Sequence, residues 1–171
     1  IEVAGTRVHS TAEMTQVEDT LAKIATSMGA EAPALMRVRG KMDLYRGNVV
    51  PAIQTLTKAL NLMDPNDTGR YETIYLLARG YAQTQQTGEA RQRLQQIVDK
   101  LPNYFEARLQ LAQLLISENN VKEAKPHVDV LAKLRPDDPA VILLVLRTLD
   151  PVNDKAQIDA QYAKLPEKVR Q

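Results

Sequence analysis

Histidine is the side chain best suited to proton transfer or metal binding near neutral pH, and this sequence contains two. His9 and His127 lie far apart, and neither belongs to a metal-ligating pattern such as HExxH. A solitary histidine usually occupies a surface or half-buried position. We therefore interpret His127, which follows Pro126, as a structural residue, and the sequence indicates no catalytic triad.

Other signatures of catalysis or cofactor binding are equally weak. The adjacent acids Glu18–Asp19 and Asp137–Asp138 are interpreted as solvated residues near helix ends rather than as acid–base pairs. The glycines form neither GxGxxG nor GxxxxGK, the patterns that hold phosphate at a helix N-terminus. The sequence has no cysteine, which removes disulfides, thiolate nucleophiles and cysteine-ligated metals. We therefore expect no enzymatic activity, no cofactor and no metal site.

Composition and charge exclude further classes. The 171 residues are 44% apolar and 25% charged, which is typical of a folded globular chain. The formal net charge of +1 does not favour a general nucleic-acid surface. The longest apolar stretch, Ala140–Leu146, is far shorter than the roughly 20 residues that cross a bilayer, so we expect no membrane insertion.

The chain begins at Ile1 with neither Met nor a leader pattern, which suggests an excised or processed fragment. The lack of cysteine does not identify a compartment, because secreted proteins also lack it in some cases. The bacterial periplasm and the cytoplasm are the leading hypotheses for its location.

Gly and Pro punctuate the sequence at intervals typical of short helices. Ser10–Glu13 resembles a capping box and predicts a helix to about residue 28, ended by Gly29. Pro33 suits the first turn of a second helix, and Gly47 with Asn48 ends that helix. A third helix is predicted to about residue 63, and strand alternation is nowhere evident. Further helices are predicted over about 69–85, 88–100, 104–118, 121–134, 139–149 and 155–165.

Three of the later helix starts carry capping signals. Two resemble capping boxes, and the third combines an N-cap with a first-turn proline. In chain order they are Asn120 with Glu123, Asp138 with Pro139, and Asp154 with Gln157. We expect a side-chain cap at each.

A small residue followed twelve positions later by Ala recurs along the chain. The three pairs are Gly40 with Ala52, Ala78 with Ala90, and Ala112 with Ala124. The spacing from Ala78 to Ala112 equals the length of one two-helix repeat of about 34 residues. The spacing from Gly40 to Ala78 is slightly longer, and the longer loop after residue 63 accounts for the difference. Side chains larger than methyl at these positions would push paired helices apart, so we expect them to be buried.

With this period the chain resembles the tetratricopeptide repeat family, in which small residues lie where helices approach and Pro ends each unit. In residues 71–104 the matching residues are Ile74, Leu77, Ala78, Tyr81, Ala90, Leu94 and Pro102. In residues 105–138 they are Leu111, Ala112, Leu115, Ala124, Val128, Leu131 and Pro136. In residues 33–70 they are Gly40, Gly47, Asn48, Ala52, Leu56, Ala59, Asp64 and Pro65. That unit departs from the family at Arg39 and Asp43, where apolar residues are preferred.

The resemblance implies one all-α solenoid over residues 1–171, a right-handed superhelix of antiparallel helix pairs. Residues 10–32 are then a partial N-terminal repeat, and residues 139–171 are a degenerate C-terminal repeat. Residues 141–146 are apolar on nearly every side of their helix. Either the helix of 155–165 covers them with Ile158, Tyr162 and Leu165, or a following repeat does, or a second copy docks there as a homo-oligomer.

In such a solenoid the first helix of each pair lines a concave face, where we expect a partner to bind. Helical spacing assigns to this face Arg37, Lys41, Tyr45, Tyr75, Arg79, Gln83, Leu109, Gln113, Leu143 and Arg147. Its basic residues favour an acidic peptide or protein, although basic residues on a helix are also often just its solvated side. The carboxylate clamp of some family members does not carry over, because Leu76, Glu106 and Gln110 replace three of its residues.

The sequence therefore predicts a non-catalytic scaffold or adaptor for protein partners, with bacterial export or cell-envelope assembly as its favoured setting. One alternative is a regulatory or assembly domain of a larger enzyme or secretion protein. Another is an RNA-binding helical repeat, which requires a continuous positive stripe and a steep salt dependence.

Overall fold

The computed structural model describes residues 2–3, 6–7, 16, 19–20, 22–23, 25–26, 29 and 31–170. The predicted capping box Ser10–Glu13 and His9 lie outside these residues. The chain divides into two compact units, unit 1 from Ile1 to Gly80 and unit 2 from Tyr81 to Gln171. No helix in the described ranges has both the length and the apolarity to cross a membrane.

Unit 1 contains a short hairpin and the first helices. Strand β1 (Glu2–Val3) pairs antiparallel with β2 (Thr6–Arg7), and this hairpin was not predicted because two-residue strands show no alternation. The described residues between 16 and 26 are helical, and Gly29 follows them with a positive φ of 87°. Helices α1 (Pro33–Arg46) and α2 (Val49–Leu62) form a pair, and α3 (Arg70–Gln83) crosses into unit 2.

Unit 2 continues with helices of similar length. They are α4 (Thr87–Lys100), α5 (Phe105–Ser117), α6 (Val121–Leu134), α7 (Pro139–Thr148), α8 (Lys155–Lys164) and the single turn α9 (Glu167–Arg170). Each of α4 to α7 packs on the next, and α5 also contacts α7. The prediction of an all-α fold built from consecutive helix pairs is confirmed.

The turns that follow α1, α3 and α5 repeat one backbone pattern. A residue with positive φ lies in each turn: Gly47 (80°), Gln85 (59°) and Asn119 (62°). The residue after each donates its amide to a carbonyl five positions back, at 2.8 to 2.9 Å, in the manner of a Schellman motif. Gln85 and Asn119 are separated by the same interval as Ala78 and Ala112, so the turns follow the repeat period.

One of the three predicted side-chain caps forms. The Asp138 carboxylate accepts the Ala140 amide at 2.9 Å at the start of α7. The caps predicted at Asn120 and Asp154 are wrong. Glu123 instead forms an ion pair with Arg91, and Asp154 accepts the Asp150 amide at 2.9 Å from the preceding turn.

The small residues lie where the helices approach. The alanines at positions 52, 78, 90, 112 and 124 have no exposed surface. A Cβ at Gly40 would lie 2.5 Å from Leu56 Cγ, and one at Gly80 would lie 2.8 Å from Ile53 Cγ1. The predicted steric role of Gly40 and of the five alanines is confirmed, and Gly80 is a further close approach that was not predicted. Arg39 and Asp43, which depart from the repeat pattern, are half-buried on α1.

The apolar helix α7 is largely covered within unit 2. Its residues Val141, Leu144 and Val145 join a core cluster with Phe105, Ala112, Val128 and Leu131 from α5 and α6. Helix α8 packs on α7, and Leu165 beyond its end is buried. Ile158 is half-buried, whereas Tyr162 is exposed. Leu143 is the residue of 141–146 that the structure leaves exposed.

Candidate partner-binding surface

Four of the predicted contact residues come together in unit 1. On α1, Arg37, Lys41 and Tyr45 follow one another at one per turn, as their spacing predicts. Arg79 of α3 places its guanidinium 5.5 Å from the centre of the Tyr45 ring, a distance that permits a cation–π interaction. Tyr45 is 45% exposed, so the ring remains accessible to a partner. Tyr75, one turn before Arg79 on α3, is half-buried.

An acidic residue that the sequence reasoning missed lies on the same surface. Glu72, in the first turn of α3, places Oε2 3.3 Å from Arg37 Nε and Oε1 3.7 Å from Lys41 Nζ. One carboxylate therefore joins the two cations of α1. Glu72 follows Arg37 by close to one repeat length. That spacing could have predicted that the two residues lie side by side on successive repeats.

These contacts follow one another along α1 and α3. Arg37 and Lys41 meet Glu72 near the start of α3, and Tyr45 meets Arg79 near its end. We call these five residues the α1–α3 surface. It carries three cationic side chains and one carboxylate, so it keeps a positive charge.

The remaining predicted contact residues belong to unit 2. Gln83, Gln113, Leu143 and Arg147 are exposed on α3, α5 and α7. Leu109 is half-buried and packs against the core cluster of unit 2, so part of its side chain stabilises the fold. Because Gln83, Gln113, Leu143 and Arg147 are exposed, a partner could contact their side chains.

The structural interpretation of His127 agrees with its surroundings. Arg108, which is buried, donates from Nε and Nη2 to the Pro102 carbonyl at 3.0 and 2.6 Å. Its Nη1 lies 3.0 Å from His127 Nδ1. Because a guanidinium only donates, Nδ1 must accept, and the neutral ring then carries its proton on Nε2. Burial and the Arg108 charge lower the pKa of His127, while Asp99 opposes the shift.

Arg108 is also a departure from the repeat that sequence reasoning missed. It occupies the repeat position that corresponds to Ile74, a buried apolar residue of the preceding unit. Burial lowers the pKa of its guanidinium. Its three hydrogen bonds offset part of the cost of burying the charge.

The described residues offer little for chemistry. No group of three or more His, Cys, Asp or Glu side chains in them is arranged to hold a metal ion. An open depression of about 740 Å³ lies along α4 and is lined by Gly88, Arg91, Gln92, Gln95, Gln96, Asp99 and Lys100. Three of these are glutamines, Arg91 forms ion pairs with Glu118 and Glu123, and Asp99 accepts a hydrogen bond from Gln95.

Comparison with solved structures shows the same fold in other proteins. The crystal structure of MamA superposes with a TM-score of 0.71 at 14% identity, over 92% of this chain and 94% of that one. YrrB, described as a TPR protein with an unusual peptide-binding site, gives 0.68 at 19% identity over 90% and 78%. The MamA RS-1 ArsTM double mutant gives 0.67 at 19% identity over 80% and 74%.

Part of the chain also matches a protein-family model. No curated protein matches the sequence at a significant level. The model of the tetratricopeptide repeat family matches residues 81–147. That segment covers most of α4 to α7, where the spacing of small residues is most regular. Residues 81–147 therefore match the tetratricopeptide repeat family, and the chain has the fold of the solved proteins above.

Proposed function

We propose that this chain is a non-catalytic scaffold that binds a protein or peptide partner with acidic residues on the α1–α3 surface. The observation that carries the proposal is the cation–π pair of Arg79 with Tyr45 beside the Arg37–Glu72–Lys41 cluster. The tetratricopeptide fold supports protein binding in general, and the peptide-binding site named for YrrB supports a peptide ligand.

The chemistry of these side chains suits an acidic ligand. Arg37 and Lys41 are partly exposed, so their charged groups are accessible to a ligand carboxylate. Guanidinium groups bind carboxylates with two parallel hydrogen bonds. Tyr45 adds an exposed ring that contacts apolar and polar groups at a small entropic cost.

The absence of a reaction is part of the same proposal. The sequence holds no nucleophile–base pattern, and the Nδ1 atom of His127 is engaged by Arg108. A setting in bacterial export or cell-envelope assembly, or as a regulatory domain of a larger protein, is consistent with an interaction module. The full reading frame and its genomic neighbours discriminate between these settings.

Fluorescence anisotropy with a labelled ten-residue peptide of alternating Glu and Gly tests the proposal, with a Gln–Gly peptide as the neutral probe. The Arg37→Glu/Arg79→Glu variant should lose at least tenfold in affinity for the Glu–Gly peptide, because two attractive charges become repulsive. The matched control is Lys122→Glu/Lys133→Glu, which makes the same charge change at exposed positions of α6. Equal loss in both variants, or none in either, would show that the α1–α3 surface is not the binding site.

The same variants test protein partners from the source cell. A pull-down with the wild-type chain should recover partners that the Arg37→Glu/Arg79→Glu chain does not. RNA in place of protein in the eluate, with affinity falling steeply as salt rises, would favour the nucleic-acid alternative.

A further inference from the structure

We infer that Glu72 is an internal competitor for the acidic ligand and sets the affinity of the α1–α3 surface. This inference rests on the proposed function. In the free chain, the Glu72 carboxylate occupies the two cations of α1 that the ligand would use. A ligand carboxylate must replace it, so weakly acidic segments are rejected.

The geometry places one carboxylate across two cations. Glu72 Oε2 lies 3.3 Å from Arg37 Nε, and Oε1 lies 3.7 Å from Lys41 Nζ. The two cations are four residues apart on α1, which puts them one above the other on one side of the helix. An incoming carboxylate of similar size can make the same two contacts after Glu72 turns toward solvent.

The exposure of the three side chains makes such an exchange feasible. Their exposed fractions are 21% for Arg37, 44% for Lys41 and 42% for Glu72. Ion pairs at this exposure are weak because water and salt screen them, so Glu72 can leave at a small cost. A ligand with a single carboxylate gains little by replacing it, whereas a ligand with several adjacent carboxylates also reaches Arg79.

Glu106 gives an internal comparison. It occupies the same repeat position as Glu72, one unit later in the chain, and it too lies in the first turn of its helix, α5. Its ion-pair partner is different: Arg135 Nη2 lies 3.7 Å away, with both side chains 53% exposed. Replacing Glu106 removes the same charge and the same favourable interaction with a helix N-terminus, without freeing Arg37 or Lys41.

The test compares Glu72→Gln with Glu106→Gln in the anisotropy assay with the Glu–Gly peptide. Glu72→Gln should bind the probe about threefold to tenfold more tightly, the factor expected when two weak ion pairs no longer compete. Glu106→Gln should bind with wild-type affinity. In an Arg37→Gln/Lys41→Gln background, Glu72→Gln should give no gain, because no competition remains. Thermal melts of every variant confirm that each is folded.

The outcomes separate this inference from the proposed function. If Arg37→Glu/Arg79→Glu weakens binding but Glu72→Gln leaves it unchanged or weaker, Glu72 positions the cations and is not a competitor. Equal gains in Glu72→Gln and Glu106→Gln also overturn the inference, since net charge alone then explains them. If Arg37→Glu/Arg79→Glu binds like the wild type, the proposed function fails, and the inference fails with it.

Discussion

Replacing Gly40 by Ala adds a single methyl group where α1 meets α2, and it should destabilise the protein. The new Cβ would lie 2.5 Å from Leu56 Cγ and 2.8 Å from its Cδ2, about 1 Å closer than the ordinary carbon–carbon contact of about 3.5 to 4.0 Å. Leu56 is fully buried, so it cannot swing into solvent to make room. Either the two helices separate or Leu56 leaves its rotamer.

The magnitude follows from two opposing effects. Overpacking a core by one methyl costs about 1 to 3 kcal/mol. The higher helix propensity of Ala returns about 1 kcal/mol in a helix interior. We therefore expect a net loss of up to about 2 kcal/mol in the free energy of unfolding, measured by urea denaturation followed by circular dichroism at 222 nm.

Gly88→Ala is the matched control for this prediction. Gly88 lies in the first turn of α4, and a Cβ there meets nothing within 4 Å. The same substitution should therefore leave the protein as stable or stabilise it by up to about 1 kcal/mol. If Gly40→Ala is as stable as Gly88→Ala, then close helix approach does not explain the small residues of the repeat.

Three further predictions concern unit 2. Ala112→Leu should lower the melting temperature by several degrees or more, because Ala112 has no exposed surface and lies within the core cluster. An unchanged melting temperature would contradict the repeat register. Gln85→Gly should stabilise by roughly 1 kcal/mol in urea denaturation, because Gln85 has a φ of 59° that glycine adopts without strain; a loss of stability would show that its side chain matters more. Acidification should destabilise the protein through His127, whose pKa in the folded state is lowered below its ordinary value of 6.5. The unfolded chain therefore binds this proton more tightly than the folded chain does. The contribution of neutral His127 to the free energy of unfolding is complete above about pH 6.5, and it is lost as the pH falls through the lowered pKa of the folded state. Urea midpoints between pH 7.5 and 5 should fall less steeply in His127→Gln, and an identical slope in both proteins would contradict this role.

The repeat was predictable because its signal is a regular spacing of residue types along the sequence. Small residues such as Ala78 and Ala112 recur at a fixed period, and the steric demand of close helices leaves few substitutes for them. Spacing within one helix also placed Arg37, Lys41 and Tyr45 on one side of α1. Both kinds of information can be read from spacing along the sequence, without knowing which helix packs against which.

The partners of these residues were harder to predict because they depend on how one helix packs against the next. Glu72 lies about one repeat beyond Arg37, and only the packing of α1 beside α3 brings them together. Glu123 illustrates the same limit, since Arg91 of α4 draws it away from the cap that its spacing predicts. Arg108 breaks the apolar pattern, and its guanidinium can be buried because it donates hydrogen bonds to the Pro102 carbonyl in the loop before α5.

Whether an acidic ligand binds on the α1–α3 surface is tested most directly by a nitrogen-15 NMR titration of the protein with the Glu–Gly peptide. The largest changes in amide chemical shift should fall on residues around Lys41, Tyr45 and Arg79. The amide chemical shifts of Lys122 and Lys133 on α6 should not change. Changes that centre on α6, or that spread evenly over the basic residues of the chain, would contradict binding at this surface.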